Sequence, residues 1–88
     1  MTIKRHKYYR KDALKVRLTD DQYAKRIKYL SLVLAKKTLP PESKDHELRA
    51  EYRGFREFHL GGDMLVVYTV VDDVLYLQRM GTHSQLFK

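Results

Sequence analysis

The fold is decided by residues 64–80, which read MLVVYTVVDDVLYLQRM. Met64–Val71 is almost wholly apolar, a composition typical of a central strand that is covered on both faces. Asp72–Asp73 predicts a hairpin turn, and Val74–Met80 predicts the strand that returns from it. The centre of the protein is therefore expected to be an antiparallel β-hairpin.

The chain before this hairpin predicts further strands. Ala50–Leu60 alternates with a period of two residues, which indicates a strand, and Gly61–Gly62 indicates the turn after it. Residues 2–7 are expected to form a short edge strand, because lysine and arginine there discourage pairing with another sheet. The sequence thus predicts an antiparallel sheet of three or four strands.

Two helices are predicted ahead of the main strands. Apolar residues recur at helical spacing in Tyr8–Leu18, and Thr19 then suits the N-cap of a second helix. That helix is expected to end before Pro40–Pro41, and Leu39–Glu47 to form a loop. Its predicted apolar stripe comprises Tyr23, Ile27, Leu30 and Leu34. The fold class is therefore α+β: one domain, residues 1–88, with two N-terminal helices packed on one face of the sheet.

The charge of the chain is strongly positive and unevenly distributed. Lysine and arginine number 18 against 11 acidic residues, a net charge of +7. Residues 1–40 hold 12 of the basic residues and only 3 of the acidic ones. A polyanion such as nucleic acid is the partner this favours, because each neutralised phosphate releases counterions. A well-solvated helical surface is the other interpretation.

Several classes of protein are excluded by what the sequence lacks. The chain contains no cysteine, so disulfides, thiolate metal sites and thiol nucleophiles are ruled out. No apolar run approaches the length of a membrane span, and the basic N-terminus is not followed by the apolar stretch of a signal peptide. We therefore expect a cytoplasmic protein that does not contact a membrane.

Three histidines stand where a small scaffold displays functional groups: His46 in a loop, His59 at a strand end and His83 near the C-terminus. Histidine is well suited to proton transfer near neutral pH. The charged residues around them are Asp45, Glu57, Asp63, Arg53, Arg56 and Arg79. Such groups together suit cleavage of RNA by its own 2′-OH, which needs a base, an acid and a cation at the phosphate. This chemistry needs no metal.

Each of these residues also has a structural interpretation. A histidine at a strand end is commonly a surface residue, and Arg53 and Arg56 can simply pair with neighbouring glutamates. Phe87 can plug the core, or it can stack against a base. A zinc site is disfavoured, because the spacings of 13 and 24 residues between the three histidines match no local zinc signature. The residues alone support a basic α+β domain with possible RNA handling.

A resemblance extends this interpretation. Four elements carry it, namely Lys44–Leu48, Tyr52–His59, Asp63 and Leu77–Phe87. Their pattern is roughly D-H-x-L, then G-[FY]-R-[DE]-x-H, then D, then R-x-G-[TS]-H-x-x-L-F. In this order and spacing it closely resembles the YafQ branch of the RelE toxin superfamily, and it covers residues 44–87. The first half resembles that family only in its layout.

The resemblance implies a RelE-like fold and a toxin that cleaves messenger RNA in the ribosomal A site without a cofactor. It also implies a cognate antitoxin, through which alone the protein would reach operator DNA. The acid–base and substrate-orienting positions correspond to His46, Glu57, His59, Asp63 and His83. Arg79 would provide positive charge at the scissile phosphate, whereas Phe87, Arg53 and Arg56 would contact substrate. We expect His83 to be the general acid, with His46 or His59 assisting deprotonation. The alternative is a binding module of this fold with feeble catalysis, acting with its antitoxin in autorepression.

Overall fold

A five-stranded mixed sheet organises the chain in the computed structural model, which describes residues 1–87. The strands are β1 Thr2–Arg5, β2 His46–Glu47, β3 Arg56–Gly61, β4 Met64–Val71 and β5 Val74–Thr82. The helices are α1 Lys7–Lys15, α2 Asp20–Leu34 and the short α3 His83–Leu86. The strand order is β1-β5-β4-β3-β2, and every neighbouring pair is antiparallel except β1 with β5, which is parallel.

The predicted central hairpin is confirmed. Asp72 and Asp73 have φ values of 50° and 62°, and two successive positive values are typical of the type I′ turn that joins twisted strands. Leu65–Tyr68 of β4 are buried on both faces of the sheet, as the apolar composition predicted, whereas Val70 and Val71 at its end are exposed. Leu65 and Val67 belong to one apolar cluster, and Val66 and Tyr68 belong to the other.

The two clusters divide the molecule into layers. On one face of the sheet, α1 and α2 pack through Tyr9, Tyr29 and Val33 onto the large cluster. On the other face, α3 packs through Leu86 and forms the small cluster. This second layer holds Leu86 and its partly buried neighbours Leu48, Tyr52, Phe55 and Phe87. The site described below lies on this second, thinner side.

The α+β class is confirmed, and the sheet differs in detail from the expected three or four antiparallel strands. The edge strand foreseen at residues 2–7 exists as β1, but it runs parallel to β5, a direction that composition does not encode. Strand β2 has only two residues, too few to show a periodicity. The strand predicted over Ala50–Leu60 begins only at Arg56, because Gly54 at φ +94° turns the chain.

Helix α2 begins where it was predicted but buries a different face. Thr19 is its N-cap: its side chain accepts a hydrogen bond from the Gln22 amide, and the Gln22 side chain accepts one from the Thr19 amide. Tyr29 and Val33 face the sheet, whereas Tyr23 and Ile27 of the predicted stripe are 52% and 56% exposed.

Polar residues explain this rotation of the helix. Gln22 and Arg26 lie on the same stripe as Tyr29 and Val33. The Gln22 side chain donates to the Gly61 carbonyl at 3.0 Å, and Arg26 Nη1 lies 3.8 Å from the sulfur of a core methionine. The sheet-facing stripe is therefore polar in its first half, so the spacing of apolar residues does not identify it.

The segment expected to be a tail is partly helical. Thr82 caps α3, accepting from the Gln85 amide while the Gln85 side chain accepts from the Thr82 amide. Leu86 is only 7% exposed, so its burial fixes this turn against the sheet. Lys88 lies outside the described residues. Among residues 1–87, no helix has the length and apolar character needed to cross a membrane.

Candidate active site

An open cleft of about 630 Å³ lies between β3 and α3 on the thinner side of the sheet. Five of the residues singled out in the sequence line it, namely His46, Glu57, His59, His83 and Phe87. Strands β2 and β3, the loop between them and α3 bring these residues together. The cleft therefore unites groups that lie up to 41 positions apart (46 to 87) in the sequence.

Glu57 is at the centre of the cleft floor. Its Oε2 atom lies 3.3 Å from His46 Nε2 and 3.1 Å from His59 Nε2. Pairing of β2 with β3 sets His46 opposite Glu57, and His59 follows two residues along the same face of β3. Glu57 is only 1% exposed, and its Oε1 atom has no hydrogen-bond partner among residues 1–87. A buried carboxylate with one unsatisfied oxygen calls for an explanation.

The orientation of His46 is fixed by its own backbone. His46 Nδ1 lies 2.7 Å from the Lys44 carbonyl. A carbonyl only accepts, so Nδ1 carries the proton and donates it. In a neutral His46 the Nε2 lone pair therefore points towards Glu57 Oε2, which is also an acceptor. The two acceptor atoms then face each other across 3.3 Å.

The loop that carries His46 is anchored from the opposite face of the sheet. Asp45 accepts a 2.6 Å hydrogen bond from the Tyr68 hydroxyl and two from the Arg56 guanidinium, at 3.2 and 3.1 Å. Burial first, and then the neighbouring Asp45, raise the pKa of Tyr68 far above its ordinary value. The hydroxyl therefore stays protonated and can act as a donor. This network sets the position from which the adjacent His46 enters the cleft.

Arg56 and Arg53, which were predicted to contact substrate, lie outside the cleft lining. Arg56 is engaged by Asp45, which raises its pKa, and its register partner Tyr68 belongs to the helix-covered core. Arg53 is exposed and follows the turn at Ala50–Tyr52. Neither side chain lines the cleft. Alternation along the strand explains why Arg56 lies outside the cleft, because it is on the opposite face from Glu57.

Arg79 also lies outside the cleft lining. Its guanidinium forms a bidentate ion pair with Asp12 of α1, at 2.7 and 3.1 Å, and Asp12 raises its pKa. Asp12 also accepts from the Met80 amide at 3.0 Å, which attaches α1 to β5. The Tyr8 ring lies 5.8 Å from the guanidinium carbon. The positive charge of Arg79 is thus already matched by a carboxylate that sequence reasoning did not identify.

His83 and Phe87 form the second wall of the cleft. Both belong to the α3 region, and their ring centroids are 5.1 Å apart. The Phe87 ring packs edge-on against Tyr52, with centroids 5.3 Å apart. His83 Nδ1 lies 3.9 Å from Asp63 Oδ1, and each of these side chains is more than half exposed. Asp63 therefore reaches the cleft only through His83.

The other residues that line the cleft had been assigned no role from the sequence. Lys44 and Arg49 add positive charge, Glu51 adds a negative one, and Tyr52 adds an aromatic ring. Arg49 is exposed and forms no ion pair within the described part of the chain. A lone arginine in a loop carries no periodic signal.

Comparison with known proteins agrees with this architecture. The family model described as "Bacterial toxin of type II toxin-antitoxin system, YafQ" matches residues 1–88. The mRNA interferase toxin YafQ of Escherichia coli strain K12 is 38% identical over 64 residues, which is 70% of each chain.

Solved structures extend the similarity over nearly the whole chain. A copper-bound mutant toxin from Helicobacter pylori superposes with a TM-score of 0.84 at 34% identity, covering 98% of both chains. A chain of the Escherichia coli DinJ–YafQ complex gives 0.78 at 31% identity, covering 98% of this chain and 97% of that one. The fold is that of bacterial toxins of type II toxin–antitoxin systems. Within that class, the chain belongs to the YafQ family.

Proposed function

We propose that the protein is a toxin that cleaves messenger RNA in the ribosomal A site, using the RNA's 2′-OH as nucleophile and no metal. The observation that carries this proposal is the convergence of three histidines and Glu57 in one cleft beside an aromatic ring. The spacings of 13 and 24 residues between the histidines gave no local motif. Their convergence is a property of the fold, and it supplies proton donors and acceptors on two sides of one cavity.

The proposed reaction conserves protons. The pair formed by His46 and His59 around Glu57 removes the 2′ proton, and the 2′ oxygen attacks the adjacent phosphorus. His83, on the opposite wall, donates a proton to the leaving 5′ oxygen. The products are a 2′,3′-cyclic phosphate and a free 5′-OH. Phe87 offers its ring to a base, an interaction that typically contributes about 1–3 kcal/mol.

Charge on the transition state must also be stabilised. Lys44 and Arg49 border the cleft, so they are the cations available to the phosphate. In this proposal Arg79 does not touch the phosphate, because its guanidinium lies outside the cleft lining and is held by Asp12. Asp63 orients His83, from which it lies 3.9 Å away.

The first test uses a short messenger RNA with a single 2′-deoxynucleotide at the mapped cleavage position. We expect the unmodified RNA to be cut in the presence of ribosomes and chelator, and to yield a 2′,3′-cyclic phosphate terminus that mass spectrometry identifies. The 2′-deoxy RNA is expected to remain intact, because its nucleophile is missing. Cutting of the deoxy substrate would contradict the mechanism. A transcript left intact by folded protein would instead favour the binding-module alternative.

We infer the partner of this toxin from the family to which the chain belongs and from the charge of its surface. A chain similar to this one has been solved in complex with DinJ, and we propose that a cognate antitoxin binds this toxin in the same way and links it to operator DNA. An acidic antitoxin segment that folds on binding would suit its positive surface. The cytoplasm, where ribosomes are found, is the proposed location.

Ribosome binding is proposed to use the basic surface of β1 and α1. This surface consists of Lys4, Arg5, Lys7, Arg10 and Lys11, all of which are exposed and, within residues 1–87, form no ion pair. Replacement of three of them by glutamate is expected to weaken ribosome association strongly at physiological salt, because phosphate contacts are lost and repulsion is added. Co-sedimentation with ribosomes measures this. The control is Lys37→Glu, because Lys37 follows α2, is exposed and forms no ion pair within residues 1–87. Unaltered association of the triple variant would refute this interface.

A further inference from the structure

We propose that Tyr68, on the helix-covered face of the sheet, is a positioning residue for His46 in the cleft on the opposite face. Its hydroxyl acts through Asp45: the hydrogen bond between them holds the segment of residues 44–46 and thereby fixes which nitrogen of the His46 imidazole carries the proton. This structural part of the inference stands on the contacts alone. Its consequence for RNA cleavage rests on the proposed function, in which His46 and His59 remove the 2′ proton.

The Tyr68 hydroxyl links the core to the loop that precedes β2. Its ring lies in the large apolar cluster, where Tyr68 is only 3% exposed and its ring centroid is 5.4 Å from that of Phe58. The hydroxyl donates to Asp45 Oδ1 at 2.6 Å, a short distance typical of a hydrogen bond to a carboxylate. Because packing fixes the ring, this bond holds the Asp45 carboxylate in a fixed place relative to the core.

Arg56 is the second anchor of the Asp45 carboxylate. Its Nε and Nη2 atoms lie 3.2 and 3.1 Å from the two carboxylate oxygens. The Arg56 side chain is 42% exposed, so solvent screens the attraction between the two charges. The hydrogen bond from Tyr68 comes from a core residue and is screened less. We therefore expect the Asp45 carboxylate to shift when the Tyr68 hydroxyl is removed, even though Arg56 is still present.

The backbone before His46 has a conformation that needs such support. Lys44 has φ 50° and ψ 36°, in the left-handed region that residues with a Cβ atom disfavour. The fully buried Ser43 donates from its Oγ to the Pro40 carbonyl at 2.7 Å and accepts from the Asp45 amide at 3.3 Å. Asp45 is thus held at both its amide and its carboxylate. The peptide group between Lys44 and Asp45, which includes the Lys44 carbonyl, is therefore fixed in direction.

The Lys44 carbonyl determines the tautomer of His46. It lies 2.7 Å from His46 Nδ1, and because a carbonyl only accepts, Nδ1 carries the proton. Nε2 of the neutral ring then presents its lone pair to the cleft, where it can accept the 2′ proton of the RNA.

Glu57 favours the opposite tautomer, which is why the position of the Lys44 carbonyl matters. Glu57 Oε2 lies 3.3 Å from His46 Nε2, so a neutral ring with its proton on Nε2 would donate to this carboxylate. In that tautomer the nitrogen that faces the cleft has no lone pair to accept a proton from substrate. Without the hydrogen bond to the Lys44 carbonyl, the inactive tautomer would therefore gain population. The Tyr68 hydroxyl opposes this change by holding the backbone that carries the carbonyl.

Tyr68→Phe tests the inference sharply, because it removes the hydroxyl and keeps the ring in the core. Tyr68 does not line the cleft, so the half-saturating concentration of ribosomes should be unchanged. The single-turnover cleavage rate is expected to fall roughly tenfold, less than the about 10²–10⁴-fold contribution of a general base, because part of His46 keeps the active tautomer. Tyr29→Phe is the matched control and is expected to cleave as wild type. It removes the same atom from a buried tyrosine of the same cluster that is not a side-chain partner of Asp45 within residues 1–87.

The direct readout is the tautomer of each histidine, which long-range proton–nitrogen NMR spectra of isotope-labelled, full-length protein report. Neutral His46 is expected to carry its proton on Nδ1 in wild type and in Tyr29→Phe, and to become a mixture of both tautomers in Tyr68→Phe. His6 is an internal reference in the same spectra. Its Nδ1 accepts from the Tyr8 amide at 3.1 Å, so the proton of the neutral ring should lie on Nε2 in every variant.

The two readouts separate the structural part of the inference from its catalytic consequence. Unchanged His46 signals in Tyr68→Phe, shown by circular dichroism to be folded, would overturn the inference, as would a wild-type His46 with its proton on Nε2. An altered tautomer with an unaltered cleavage rate, or equal losses of rate in Tyr68→Phe and Tyr29→Phe, would overturn the catalytic consequence. If wild type cut nothing, the proposed function would fail, and the NMR spectra would still decide whether Tyr68 fixes His46.

Discussion

His83→Ala is expected to lower the rate of RNA cleavage by about 10²–10⁴-fold, the usual contribution of a positioned general acid. His83 is exposed at the start of α3, where Thr82 and not His83 provides the cap. The fold therefore does not depend on the imidazole. Without it, the 5′ oxygen leaves without a positioned proton donor, although the opposite wall with Glu57 and its two histidines is intact. Single-turnover cleavage of a defined transcript on ribosomes measures the loss.

Ser84→Ala is the matched control for this variant. Ser84 is the next residue of the same helical turn, is exposed, and contacts Thr82 rather than the cleft. It is expected to cleave at the wild-type rate. A His83→Ala protein that cleaves as fast as Ser84→Ala would remove His83 from the mechanism and leave the Glu57 side of the cleft as its sole source of acid and base.

Local signals in the sequence were sufficient to predict the elements whose hydrogen bonds are made between residues close together in the chain. The hairpin of Met64–Thr82 follows from two apolar strands joined by a turn, and the start of α2 follows from a capping residue. The same applies to part of the site. The resemblance named His46, His59 and His83, and the fold does bring all three into one cleft.

Long-range polar contacts explain what sequence reasoning missed. Asp12 and Arg79 are 67 residues apart, so nothing in either neighbourhood indicates that they form an ion pair. The turned face of α2 follows from Gln22, whose partner is a carbonyl 39 residues away. Arg56 was assigned to substrate because its motif adjoins Glu57, although alternation along β3 places it on the opposite face. In each case, the partner that satisfies the polar group is determined only by the tertiary fold.

Phe58→Ala is expected to lower the free energy of unfolding by roughly 3–5 kcal/mol, as full truncation of a buried phenylalanine does. Phe58 is completely buried on the helix-covered face. Its ring packs edge-on against Tyr29 at 5.5 Å and lies 5.4 Å from the Tyr68 ring. Its removal leaves a cavity between α2 and the sheet. Because domains of this size are stabilised by only about 5–15 kcal/mol, urea denaturation should show a large shift of the midpoint.

The site should be affected too, because Phe58 separates Glu57 from His59 along β3. The ring fixes the strand on one face, and the two site residues extend from the other. Phe55→Ala is the control: it removes the same atoms from a partly exposed position in the small cluster and is expected to cost less. Equal losses of stability from the two variants would contradict the assignment of the principal core to the α2 side. If Phe58→Ala were merely destabilised, cleavage at low temperature would return to the wild-type rate. A cleavage rate that stayed low in folded protein would show that the core also holds Glu57 and His59 in position.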